Sequence, residues 1–159
     1  MPAELLVLVP VLSNGVNFVI TIGLLLPVSI ALGVNVGWAL VFLPLLVLIQ
    51  LLLTLGISIL VAVADVFYQD IQQIVSYVLT AAFFLTPIFY SRSVVPGNLR
   101  FLVDFNPLAG LLLAYQNVFY KGVPPDPRGL LTAAAFGTMA MVVGLAYFNN
   151  ARDTLEEYV

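Results

Sequence analysis

A chain of 159 residues that is 62% hydrophobic and only 8% charged, with a net charge of −3, does not have the composition of a soluble domain, where about 25% of residues are charged. Histidine and cysteine are both absent, which excludes Ser/His/Asp and Cys/His triads, disulfides, and zinc sites built on imidazole or thiolate. Five basic residues leave no electrostatic footprint for nucleic acid.

A helix that crosses the roughly 30 Å hydrocarbon core needs about 20 apolar residues. No charged side chain occurs between Glu4 and Asp65, between Asp70 and Arg92, or between Arg128 and Arg152. The fold expected from this is an all-α membrane protein, a single transmembrane domain over 1–159. It has four transmembrane helices and a re-entrant or interfacial helical segment between the third and the fourth. The acidic start Met1-Pro2-Ala3-Glu4 lacks the basic region of a cleavable signal.

The first span is expected over about 5–32, interrupted by Pro10 and by Ser13-Asn14-Gly15, breaks that neighbouring helices can satisfy. Gly33 to Gly37 reads as a tight turn, and Trp38 as an interfacial anchor. The second span, about 39–62, carries Pro44 in its first half, and the two spans form a hairpin. Ala64 to Asp70, with Asp65 and Asp70, reads as a short loop.

In the third span, about 71–90, Gln69, Gln73, Ser76 and Thr80 recur at helical spacing and share one face. That face avoids lipid, either lining a path for a polar substrate or bonding to neighbouring helices. The span ends in Phe83-Phe84-Leu85-Thr86-Pro87-Ile88-Phe89-Tyr90. Pro87 should kink it, and the aromatic rings fit an interfacial belt or stacking on sugars. In the segment 91–128, Pro96-Gly97-Asn98 can open a short helix to about Phe105, and Asn106-Pro107 supplies an N-cap and a first-turn proline. The helix that follows, ending near Lys121-Gly122, is too short to cross.

The fourth span, about 130–148, places Ala133, Gly137, Ala140 and Gly144 on one face. Small residues of this kind let membrane helices approach closely, within one chain or between two copies. A polar, acidic tail follows.

No phosphate-binding loop GxxxxGK[ST] is present, so any ATP must be hydrolysed by another chain, and no cofactor is indicated. No span has a charge in its middle, which disfavours proton coupling. Asp65 and Asp70 mark a membrane boundary or, in an enzyme reading, perform acid-base work on a lipid.

The run FFLTPIFY at 83–90, then Val95-Pro96, then Asn106-Pro107-Leu108-Ala109, then Tyr115 resembles the permease subunits of type-2 ATP-binding-cassette exporters, those carrying O-antigen, teichoic acid and capsular polysaccharide above all. The resemblance extends over essentially the whole chain, but only to the last four of the family's usual six spans. A chain without the first two spans would be a fragment or have a late start. The family often has Arg-Asp where Gln69-Asp70 stands and Tyr-Arg where Tyr115-Gln116 stands.

The resemblance implies a permease half in the bacterial cytoplasmic membrane that pairs with a second copy, forming a homodimer, and with separate ATPase subunits. It would move a lipid-linked or long-chain glycan through membrane lipid. From the residues themselves, path lining is expected of Gln69, Gln73, Ser76, Thr80, Phe83, Phe84, Thr86, Pro87, Phe89 and Tyr90, and the helix over 107–120, with Asn106, Pro107 and Tyr115, is expected to be an external gate or a membrane-surface element. Helix packing would use Ala133, Gly137, Ala140 and Gly144. The alternative is a truncated, non-transporting membrane fragment or assembly subunit. The implied orientation puts Arg92, Arg100, Lys121 and Arg128 outside, against the positive-inside rule; the absent first helices would do the orienting.

Overall fold

The computed structural model describes residues 3–34, 37–88, 90 and 94–158. These form six α-helices and no strand among the described residues: α1 Ala3–Ala31, α2 Leu43–Phe67, α3 Ile71–Leu85, α4 Arg100–Asp104, α5 Pro107–Gln116 and α6 Pro127–Tyr158. Among the described residues, three stretches are long and apolar enough to cross a membrane, Val7–Ala31, Trp38–Phe67 and Pro127–Phe148. The chain is thus a multi-pass helical membrane protein.

Helix α1 runs unbroken through Pro10 and Ser13-Asn14-Gly15, where the sequence suggested an interruption. Gly15 instead allows a close approach, since a Cβ there would stand 2.8 Å from Leu51 on α2. The helix ends because Gly33 adopts a left-handed φ of 75°. Gly33 N-H donates to Ile30 and Val34 N-H to Ser29, which satisfies the last carbonyls of the helix.

The second span opens with a 3-10 turn, Trp38–Phe42, and Pro44, in the first half of the span as expected, sits in the first turn of α2. There its missing N-H costs nothing. Helix α2 continues through Asp65 to Phe67, so the connection to α3 is only Tyr68 to Asp70. The expected loop over 64–70 is mostly helix, because Ala64-Asp65-Val66 contains nothing that stops one.

The third expected span is the largest departure. Helix α3 has 15 residues, about 22 Å of helix against a hydrocarbon core of about 30 Å, and it stops at Leu85. A proline disfavours the helical conformation in the residue before it. Thr86 accordingly lies extended, at φ −85° and ψ 130°. Pro87 ends the helix instead of kinking it.

A 3-10 turn, Gly97–Leu99, leads into α4. Asn106 then caps α5, its Oδ1 accepting from Leu108 N-H at 3.0 Å, with Pro107 in the first turn. The helix continues as a π turn, Asn117–Lys121, and Gly122 closes it at φ 63°. Helix α6 extends beyond Phe148 to Tyr158, into the stretch the sequence suggested as a tail.

The core lies where α5 wedges between α2 and α6. Leu46, Ile49 and Leu53 of α2 meet Leu111, Ala114 and Val118 of the α5 segment and Leu130 and Ala133 of α6. Further along, α2 and α6 touch backbone to backbone. A Cβ on Gly56 would come 2.6 Å from the Gly137 carbonyl oxygen, and one on Gly144 would come 2.9 Å from Ile59. Ala133 and Ala140 are buried on the same face of α6.

Candidate functional site

Helix α3 buries none of its residues, so the polar stripe is a surface feature. Gln69, Gln73, Ser76 and Thr80 are all exposed. Gln73 Nε2 donates to the Tyr77 hydroxyl at 3.0 Å, and Thr80 Oγ1 donates to the Ser76 carbonyl at 2.8 Å. Both bonds lie within the helix, and no neighbouring helix claims them. At about 100° per residue, the stripe stands roughly a quarter turn from Gln72, Val75 and Leu79, the side of α3 that faces the rest of the protein.

At the end of α3, Phe83 and Phe84 stack edge to face at 5.7 Å and are both exposed. Thr86 and Pro87 are buried, and Phe89 lies outside the described residues. The Tyr90 hydroxyl donates back to the Leu85 carbonyl at 3.0 Å, occupying an acceptor that the truncated helix leaves open.

The structure joins two residues that the sequence had put in different roles. Asn106 Nδ2 donates to Thr86 Oγ1 at 3.2 Å, while Thr86 Oγ1 donates to the Ala82 carbonyl at 2.7 Å. The cap of α5 is therefore tied to the end of α3. Asn106→Ala removes the cap, worth about 1 kcal/mol, and leaves a buried hydroxyl short of a partner, worth about 1 kcal/mol more. The expected loss of about 2 kcal/mol can be read as a lowered unfolding midpoint in detergent, with Asn106→Asp restoring the cap but not the bond to Thr86.

Tyr115 belongs to a different place. Its ring meets Phe18 of α1 edge to face at 5.8 Å, and it lines a groove of about 710 Å³ between α1, α2, α3 and α5. The walls are mostly apolar, with Leu53, Ile57, Val61, Leu111 and Leu112 among them. Along them runs a ladder of polar groups from α2, Gln50, Thr54, Ser58 and Asp65. Gln72 reaches across from α3 to close one end, its Nε2 donating to Asp65 Oδ2 at 3.1 Å. A smaller hollow of about 250 Å³ adjoins the groove through Phe18, Gln50 and Thr54 and adds Asn14 of α1.

This ladder was not singled out in the sequence, although Gln50, Thr54 and Ser58 recur every four residues inside the charge-free stretch. Among the described residues no cluster of acidic side chains could hold a metal ion. Asp65 and Asp70 are both exposed, and Asp65 is engaged with Gln72, so no enclosed acid-base pair is formed.

Residues 5–120 match the family described as ABC-2 type transporter. The chain is 32% identical to the O-antigen export system permease protein RfbA of Myxococcus xanthus over 160 residues, covering 99% of this chain and 62% of the relative. It is 28% identical to a protein of the same name from Klebsiella pneumoniae over 158 residues, covering 98% of this chain and 60% of the relative. The chain thus spans about three fifths of the length of the curated relatives it matches.

Proposed function

The chain belongs to the ABC-2 type transporter family, and on that premise we propose that it is permease machinery of an ATP-driven exporter of long-chain or lipid-linked glycan. The match from 5 to 120 carries this reading, because it takes in the groove helices, α3 and the α4–α5 segment. The permeases it is similar to are named for O-antigen export. Two physical features support the same reading. The polar groups within the apolar stretches are amides and hydroxyls without charge, which suit sugar hydroxyls: they bind weakly enough to release a moving chain. No charge stands in the middle of a span and this sequence holds no nucleotide-binding loop, so in this reading the energy enters through a separate ATPase chain.

In this reading the exporter is a homodimer in the bacterial inner membrane. The stripe Gln73, Ser76 and Thr80 lines the path together with Phe83 and Phe84. A fourth crossing, which α3 alone is too short to make, would continue through the residues after Leu85, beginning with the extended Thr86. The α4–α5 segment, tied to α3 through Asn106 and Thr86, is the external gate. The test is association with an engine. Purified from its host in mild detergent, the tagged protein should bring down an ATP-binding-cassette ATPase in comparable amount; recovery without any such ATPase contradicts the proposal.

A further inference from the structure

The end of the α5 segment and the start of the second span meet at one rim. The π turn Asn117–Lys121 is closed by Gly122 at φ 63°, with Val123 N-H donating back to the Asn117 carbonyl. This left-handed turn lays Gly122 against Gly37, on which a Cβ would stand 3.3 Å from the Gly122 carbonyl oxygen. Lys121 and Trp38, next to these two glycines in sequence, are thereby brought to the same rim. Trp38 is 66% exposed and Tyr120 72% exposed, and Lys121 is exposed with them.

The depth of the rim follows from length. Trp38–Phe67 has 30 residues, about 45 Å of helix, which matches the roughly 40–45 Å of a bilayer with its headgroup layers rather than the hydrocarbon core alone. Trp38, at the end of that stretch, stands at headgroup depth, its ring held against the span by an edge-to-face contact with Phe42 at 5.8 Å.

The charge at this rim is unspent. A lysine ammonium carries three N-H donors. Lys121 Nζ gives one to Asn117 Oδ1 at 2.9 Å, a neutral acceptor that fixes the group without neutralising it, and no carboxylate among the described residues pairs with it. Asp126, the nearest carboxylate along the chain, instead accepts from the Arg128 backbone N-H at 3.0 Å. A dissolved anion would use the ammonium alone. An anion attached to a lipid also uses the two exposed rings, because Trp and Tyr favour the interfacial layer beneath the headgroups.

We propose that Lys121, Trp38 and Tyr120 form a binding site for the headgroup of an anionic phospholipid such as phosphatidylglycerol. Its phosphate oxygens accept from the two remaining Nζ donors, and its glycerol region lies along the rings. Phosphatidylcholine is disfavoured, since its own cation offsets its phosphate. The site does not rest on the transporter reading.

Trp38 is the only tryptophan in the chain, so its fluorescence reports from the site itself. The test reconstitutes the chain in phosphatidylcholine vesicles that contain, at equal mole fraction, either phosphatidylglycerol or phosphatidylcholine brominated on the acyl chain close to the glycerol, bromine quenching only at short range. Both leaflets have the same composition, so the orientation of the chain does not enter. Brominated phosphatidylglycerol should quench Trp38 as though enriched about fivefold over brominated phosphatidylcholine, the effect of one basic residue at an anionic surface. Lys121→Gln should remove the enrichment and Lys121→Arg should keep it; the side chain is exposed, so both variants keep the fold. Arg100→Gln removes the same charge on α4, about 20 Å of helix from Lys121 at the opposite end of the α5 segment, and should leave the enrichment unchanged. Equal quenching by the two lipids, enrichment that survives Lys121→Gln, or enrichment lost equally in Arg100→Gln overturns the proposal. Enrichment abolished by millimolar inorganic phosphate overturns it too, in favour of a site for free anions.

Discussion

Gly56→Ala should cost about 2 kcal/mol or more in stability, although it adds only one methyl group. That methyl would stand 2.6 Å from the Gly137 carbonyl oxygen and 2.8 Å from the Met141 nitrogen. Both are backbone atoms of a continuous helix, so neither can rotate away. Helices α2 and α6 must separate instead, loosening Leu53 and Ala133 in the core nearby, and overpacking of this kind typically costs 1 to 3 kcal/mol. Gly137→Ala meets the Leu53 backbone nitrogen at 2.9 Å and should behave alike. Gly23→Ala is the control: its added methyl has nothing within 4 Å, and alanine is the better helix former, so it should be neutral or slightly stabilising. Unfolding midpoints in a single detergent check all three. A Gly56→Ala protein as stable as its parent would mean that α2 and α6 do not cross there.

The second large effect is on transport. Replacing Gln73, Ser76 and Thr80 together with leucine should abolish glycan export while leaving membrane insertion and stability intact. Helix α3 buries no residue, so no packing is lost, and three leucines only raise the hydropathy of a helix already apolar enough for the membrane. If each lost hydrogen bond to the moving glycan is worth about 1 kcal/mol, the rate falls roughly a hundredfold. Surface glycan, measured beside the amount of inserted protein, separates the two effects. Normal export by the triple variant would remove the stripe from the path and leave it as lipid- or partner-facing surface.

Much of the architecture could be read from local chemistry. The charge-free stretches gave a helical membrane protein, Gly33 gave the first turn, and Asn106-Pro107 gave the start of α5, because caps and turns depend on a few adjacent residues. Reading failed where a residue acts on its neighbour or across space. Pro87 looked like a kink inside an apolar run to Tyr90, yet its effect falls on Thr86 and ends the helix. Asp65 and Asp70 looked like the borders of a loop, yet α2 runs on past Asp65, which reaches Gln72 from the helix end.

The candidate site was less legible than the fold. A polar stripe on a helix predicts that the face is special, not what it faces, and the stripe on α3 turns outward. The ladder on α2 also recurs at helical intervals but was hidden within the most apolar part of the chain. Only the packing of α1, α3 and α5 around it makes a groove. Likewise, Thr86 and Asn106 are 20 residues apart, and no local pattern announces that they bond.

The central claim is that this chain takes part in moving glycan out of the cell, and the most direct measurement is surface glycan in its host with the gene deleted and then restored. The account predicts that long-chain glycan disappears from the surface, accumulates on the cytoplasmic side of the membrane, and returns with the gene. Surface glycan unchanged by the deletion would contradict it.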